Sequence, residues 1–305
     1  MTAARAYASG LARTIAIANG KGGAYKTSVT AGLGGLAAAA GMRVLLVDLD
    51  PQGNLVDDLG LDGLTDQGSS LHQGLLRQAP LVPQPTGRDG LSIIYGGSAT
   101  ESFAGLPYTM PEDDWPYLLA AALAPLDDNY DLILLDCPPH DRAVLTMACV
   151  AARYVLIPTQ ADVSSRKGMR GLARHFTQAR THNPDLTLLG VVIAGIGKAS
   201  TRTRREIRDL VRAELGGVAP VFDSVIRHLP NGYQLRETGR LPHEMETDMI
   251  EQRGQVLQAL RQRMPLPGGP RLSKSFTGLA EDYAALAEEV LTAIESHENT
   301  MGDPA

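Results

Sequence analysis

Cysteine is nearly absent from this sequence: Cys137 and Cys149 are the two among 305 residues. That scarcity excludes a disulfide-stapled scaffold and a four-cysteine zinc site, and it fits a reducing cytoplasm in which both thiols are small core side chains. Long apolar runs are missing too. The best candidate, residues 36–47, is interrupted by Gly41 and Arg43 and falls short of the about 18 apolar residues that a membrane-spanning helix needs. The first 13 residues carry Arg5 and Arg13 without a sustained apolar stretch, so no secretion signal is expected. What is present is a globular composition, 44% hydrophobic and 20% charged, which excludes a disordered or collagen-like chain. A soluble cytoplasmic protein with no membrane partner is the expectation.

Basic residues are outnumbered, 28 to 34, and the net charge of −6 taken alone argues against binding nucleic acid. Their distribution argues otherwise. No acid falls between Asp162 and Asp185, where Arg166, Lys167, Arg170, Arg174 and Arg180 lie, and six basic residues face two acids from Lys198 to Arg212. The acids gather at 112–114 and 281–298, so the chain is polarised.

Short apolar runs alternate with longer helical patterns from end to end, which is the signature of parallel strands joined by helical crossovers. Strands are expected at 14–18, 43–48, 91–95, 132–136, 154–158, 188–194 and 221–225, mostly continuous in Val, Ile and Leu as suits strands covered on both faces. Helices are expected at 27–40, 114–126, 142–151, 165–181, 201–215 and 276–296, the last with Leu279, Tyr283, Leu286, Val290 and Ile294 on one face. The fold class is α/β, a single doubly wound, mostly parallel sheet with helices on both faces. One domain spans 14–297, with insertions near 61–90 and 241–275, a flexible tail at 1–13 and a disordered tail at 298–305.

Directly after the first strand stands Asn19-Gly20-Lys21-Gly22-Gly23-Ala24-Tyr25-Lys26-Thr27-Ser28, followed by an alanine-rich helix. A triphosphate needs that order: successive backbone N–H groups of 22–28 and the helix N-terminus meet phosphate oxygens, Lys26 reaches the β/γ-phosphates, and the Thr27 hydroxyl holds Mg²⁺. Tyr25 is the irregular residue. If the loop needs a positive φ there, a tyrosine costs on the order of 1–3 kcal/mol of strain, and slow turnover is expected unless the ring packs outward against the segment around Asp50.

The arrangement KGG-x-x-K-[ST], with a second lysine at Lys21, resembles the deviant Walker A loop of the ParA/MinD family, whose members carry glycine where Tyr25 stands. Residues 47–54, Val-Asp-Leu-Asp-Pro-Gln-Gly-Asn, look like the family's switch I, and residues 130–139 resemble its Walker B strand and switch II, with His140 in place of a small polar residue. The strand ending at Ile226 and Arg227 matches the one that flanks adenine. The resemblance covers about 14–240 and 276–296 and implies a P-loop ATPase using ATP and Mg²⁺. By the same resemblance Asp50 positions the attacking water and, with Thr27 and Asp136, serves the metal, and Lys21 crosses to the phosphates of a second copy in an ATP-dependent homodimer. It further implies non-specific DNA binding on the nucleoid and release by a ParB-like centromere-binding protein. Arg204, Arg208 and Arg212, spaced i, i+4, i+8, and Arg166, Lys167, Arg170 and Arg174 are the DNA-binding candidates. The Soj-like type, without an N-terminal helix-turn-helix domain, is the expected one. A MinD-like positioning ATPase and a nucleotide-binding adaptor with little hydrolysis are the alternatives. The acidic last helix, with Glu281, Asp282, Glu288 and Glu289, disfavours the first of these because anionic lipid would repel it.

Overall fold

The computed structural model describes residues 10–61, 63–160, 175–197, 201–215, 220–228, 233–262, 264 and 275–302. Among them eight strands form one sheet: β1 (Leu11–Ile17), β2 (Val44–Asp48), β3 (Gln84–Pro85), β4 (Leu91–Ile94), β5 (Leu132–Asp136), β6 (Ala152–Thr159), β7 (Thr187–Ile196) and β8 (Val221–Arg227). Their order is β3-β4-β2-β5-β1-β6-β7-β8, and every neighbouring pair is parallel except the short edge pair β3 and β4. All seven expected strands are present. Only the two-residue β3 was not foreseen, since it has no hydrophobic pattern of its own.

Successive residues in the central strands serve opposite faces, as the period of two requires. Leu45 and Val47 of β2 pack on one face while Val44 and Leu46 pack on the other; Ile133 and Leu135 oppose Leu132 and Leu134 in β5 in the same way. The described helices are α1 (Lys26–Ala39), α2 (Asn54–Leu59), α3 (Ser69–Arg77), α4 (Leu106–Thr109), α5 (Leu118–Leu123), α6 (Arg142–Ala151), α7 (Thr201–Leu215), α8 (Tyr233–Thr238), α9 (Pro242–Gln262) and α10 (Ser275–Gly302). Buried residues of α3, α5, α6 and α7 fill the first face, and those of α1, α2, α9 and α10 the second. The helix expected over 114–126 is instead a 3₁₀ turn, α5 and a second 3₁₀ turn, because Pro116 and Pro125 each remove a backbone donor.

Regular structure reaches further toward both ends than the expected tails at 1–13 and 298–305. Arg13 lies within β1 and donates from Nε and Nη2 to Glu298 of α10 at 2.8 and 2.6 Å. His297 bridges the Tyr154 hydroxyl and Thr187 at 3.2 and 3.3 Å. Neither 10–13 nor 298–302 is a free tail. The stripe of α10 was read correctly: Leu279, Tyr283, Leu286, Val290 and Ile294 are all buried, and the Tyr283 ring lies against Gly32 of α1, where a Cβ would sit 2.6 Å from it.

The two segments expected as insertions carry regular structure among their described residues. Residues 61–90 contain α3 and β3, and 241–275 contains α9, packed along α10. Arg88 joins them: its Nε and Nη2 donate to Glu244 at 2.6 and 3.0 Å, and the same guanidinium donates to the carbonyls of Leu59 and Gly239 at 2.8 Å each. Burial raises the Glu244 carboxyl, and the Arg88 hydrogen bond overrides it, so the group ends below the usual carboxylate range. That contribution to stability is present at neutral pH and is lost on acidification. Arg88→Ala leaves Glu244 and two carbonyls without their donor and should cost about 2–4 kcal/mol, read as a lower denaturant midpoint at pH 7 than that of the unsubstituted protein.

Candidate phosphate-binding site

The site stands at the carboxyl end of the central strand. β1 is flanked by β5 on one side and β6 on the other, so the chain reverses its direction of progress there, and the crevice outside the strand ends opens at that point. Asn19, buried, shapes the turn: its Nδ2 donates to the Pro158 carbonyl at 2.6 Å and its Oδ1 accepts from the Lys21 amide at 3.0 Å. The reading of the sequence gave Asn19 no role; an asparagine directly before glycine was the available signal. A cavity of about 400 Å³ follows, lined by residues 22–28 together with Asp50, Gln52, Asn54, Pro139, Gln160 and Arg236. No side chain caps α1, so the backbone donors of its first turn face this space.

Lys26 is buried and donates to the Lys21 carbonyl at 3.3 Å, and the Lys21 ammonium donates to Gln160 at 3.2 Å. One cation thus braces the loop and the other ties it to the segment after β6. Tyr25 does adopt the left-handed conformation, φ 63° and ψ 16°. Its ring does not lie on the Asp50 segment. It covers Gly195 at the end of β7, where a Cβ would come within 2.7 Å of the ring, and its hydroxyl meets His228 Nδ1 at 3.0 Å. The strain is thus held by contacts with the strand ends on the far side of the loop.

Three carboxylates gather opposite. Asp48 and Asp136 are register partners on adjacent strands, both buried. Asp48 accepts from the amides of Asp50 and Leu55 at 2.9 and 3.2 Å and so fixes the turn that carries Asp50. That role was not assigned from sequence. Burial, with the neighbouring Asp136 charge, pushes the Asp48 carboxyl well up. Burial also raises Asp136, to about 7, against the Thr27 hydroxyl and the Lys26 ammonium, which hold it down. Asp136 Oδ2 is buried without a hydrogen-bond partner, close to Thr27. An orphaned carboxylate oxygen beside a hydroxyl suits a hard divalent cation that takes most of its ligands from phosphate and water. Among the described residues no cluster of three or more His, Cys, Asp or Glu forms a protein-only cage.

Other expected site residues lie elsewhere. The Ile226 side chain is in the core, and Arg227 is turned onto Asp282 of α10, at 2.6 and 2.7 Å from Nε and Nη2; neither lines the cavity. Arg208 pairs with Asp223 of β8, and Arg212 reaches Asp223 and Asp209 at 3.5 and 3.9 Å, so this part of the arginine row is tied to the sheet edge instead of standing clear. Arg166, Lys167, Arg170, Arg174 and the side chain of Arg204 lie outside the described residues. Two acids of the last helix, Asp282 and Glu289, point inward: Glu289 accepts from the amides of Asp223 and Ser224 at 3.0 and 3.1 Å. No described helix is long and apolar enough to cross a membrane.

With its folded value raised, Asp136 favours the fold while protonated and opposes it once ionised. Nucleotide-free protein should lose stability as pH rises through about 7, where Asp136 ionises. Asp136→Asn should remove that loss, raising stability at pH 8 by on the order of 1–3 kcal/mol; parallel melting curves at pH 6 and pH 8 would show it.

Comparison with known proteins agrees with this geometry. Residues 12–188 match a family model described as an AAA domain. The chain is 34% identical over 220 residues to the chromosome partitioning protein ParA of Caulobacter vibrioides, covering 70% of this chain and 80% of that protein. Among solved structures it is similar to cobyrinic acid a,c-diamide synthase from Mycobacterium smegmatis with bound ADP and magnesium, at 27% identity and a TM-score of 0.60 over 85% of this chain and 99% of the other. It shares its fold with an ATP complex of McdA from Cyanothece, 17% identical, TM-score 0.72, over 93% and 97% of the two chains. A phosphate loop with two lysines, carboxylates at the mouth of a parallel sheet and a relative of this closeness lead to one conclusion: the chain belongs to the ParA family of P-loop ATPases.

Proposed function

We propose that the protein is an ATP-driven partition switch. ATP and Mg²⁺ bind at the phosphate loop, two copies close over the nucleotides, and the dimer holds DNA without sequence preference until a ParB-like partner stimulates hydrolysis. The observation that carries the reading is the loop itself: buried Lys26 lines the cavity with Thr27 and donates to the Lys21 carbonyl, and Asp50 lines the same cavity. The curated relative named for chromosome partitioning and the solved neighbour holding ADP and magnesium support it.

Each residue has a task that its environment suits. Lys26 and the α1 amides neutralise phosphate charge. Asp50, whose backbone is held by Asp48, orients a water toward the terminal phosphate, so it acts in the transition state more than in binding. Mg²⁺, when bound, screens phosphate charge, and Thr27 and Asp136 are the residues that would hold it, directly or through water. Lys21 would reach a second copy's phosphates. Arg208 and Arg212 position α7 through Asp223, and in this reading Arg204 and the 166–174 cluster meet DNA phosphates, with steep salt dependence.

Asp50→Ala should keep nucleotide binding, dimer formation and DNA retention while lowering turnover at least a hundredfold, whereas Lys26→Ala should lose binding itself. Calorimetry of both variants beside a phosphate-release assay decides the matter. Undiminished ATP affinity in Lys26→Ala would sink the reading.

Tyr25 makes slow turnover part of the proposal, since a strained loop is less well organised for the transition state. Releasing about 1 kcal/mol of left-handed strain corresponds to several-fold in rate, so Tyr25→Gly should hydrolyse ATP roughly three- to tenfold faster or bind it correspondingly tighter. Equal or poorer kinetics in Tyr25→Gly would mean that the ring's contacts with Gly195 and His228 belong to a working site.

A further inference from the structure

Arg236 was not singled out by any motif, yet it lines the phosphate cavity. It belongs to the short helix α8, which is fixed to α2 by close backbone contact: a Cβ on Gly60 would fall 2.4 Å from the Cα of Gly239, and both glycines have positive φ, 66° and 61°. The Arg88 bonds to Leu59 and Gly239 brace the same junction. Arg236 Nε donates to Asp58 Oδ1 at 2.5 Å, and Asp58 Oδ2 accepts from the Ser28 hydroxyl at 3.1 Å. Asp58 is buried at 8% exposure while the Arg236 side chain remains 51% exposed.

That asymmetry separates the two roles. The buried carboxylate is an anchor, fixed between the phosphate-loop helix and α8. The residue it anchors lines the cavity, and the bond to Asp58 engages Nε, leaving the terminal nitrogens outside that bond. Along a phosphate loop the lysine takes the outer phosphates and the hydroxyl after it the metal. Ser28, one residue further on, therefore marks the inner phosphate and sugar end, and the Asp58 bridge places Arg236 at that end.

We propose that Arg236 binds the α-phosphate end of the nucleotide, with Asp58 as its positioning residue. The inference rests on the nucleotide-binding reading above. A planar guanidinium is well matched to phosphate oxygens, and at the α-phosphate it serves ATP and ADP alike.

The test is calorimetric binding of Mg-ATP and Mg-ADP to full-length protein, with melting of the nucleotide-free protein alongside. Arg236→Ala should weaken both nucleotides by the same factor, roughly ten- to hundredfold, and it leaves Asp58 without its cation, so some loss of nucleotide-free melting temperature goes with it. Arg236→Lys should recover part of the loss. Asp58→Asn, which keeps an acceptor for Ser28 but removes the anchoring charge, should show a smaller loss in the same direction. If Arg236→Ala melts early, Arg236→Gln keeps a donor for Asp58 without the charge and is judged by the same readings. Wild-type affinity for both nucleotides in the neutral variant would overturn the assignment, and so would a loss confined to ATP, which would put Arg236 at the terminal phosphate. Failure of the unsubstituted protein to bind either nucleotide would overturn this inference together with the reading it rests on.

Discussion

The tight passage from β1 into α1 at the centre of the sheet is the constraint on which the rest of the structure depends. A parallel strand must deliver its chain to a covering helix within a few residues, and here the turn does so with the helix N-terminus left open. Asn19 closes the base of the turn and Tyr25 makes the left-handed step into the helix. The step normally suits glycine. A tyrosine holds it because its ring and hydroxyl find Gly195 and His228 at the ends of the neighbouring strands, so the local irregularity is tolerated through a long-range contact.

Buried carboxylates make up the other half of the site, and each is handled differently. Asp48 is consumed by two backbone amides and acts as scaffold. Asp136 keeps an unpartnered oxygen and is raised toward neutrality by burial. Asp58 is shared between a hydroxyl and a guanidinium. An unpaired buried charge is expensive, so the one carboxylate left partly unsatisfied is where a cation has the most to offer.

The outer parts of the fold are arranged to hold this centre. α10 runs along the sheet and meets it at Arg227, at Glu289 under β8, and at Glu298 against β1. Arg88 does the same between α2, α8 and α9. Acids and bases that read in the sequence as surface charge, or as contacts for DNA, are in several cases internal clamps.

By itself the sequence determined the layered fold, the positions of seven strands, the stripe of α10 and the phosphate loop with its lysines, because all of these are local: hydrophobic period, strand length and a glycine-rich turn are written in consecutive residues. It also showed that Tyr25 breaks the pattern. Only the tertiary structure decided where that ring goes, that Asp48 is scaffold, that Arg208 and Arg227 are held by Asp223 and Asp282, and that Arg236 stands at the cavity. Most of those facts join residues well apart in the chain, up to 203 positions for Tyr25 and His228, while the Asp48 bonds reach only two and seven positions on and depend on how the turn after β2 folds. Charge in a sequence has no direction until a neighbouring element, folded from elsewhere, supplies its partner.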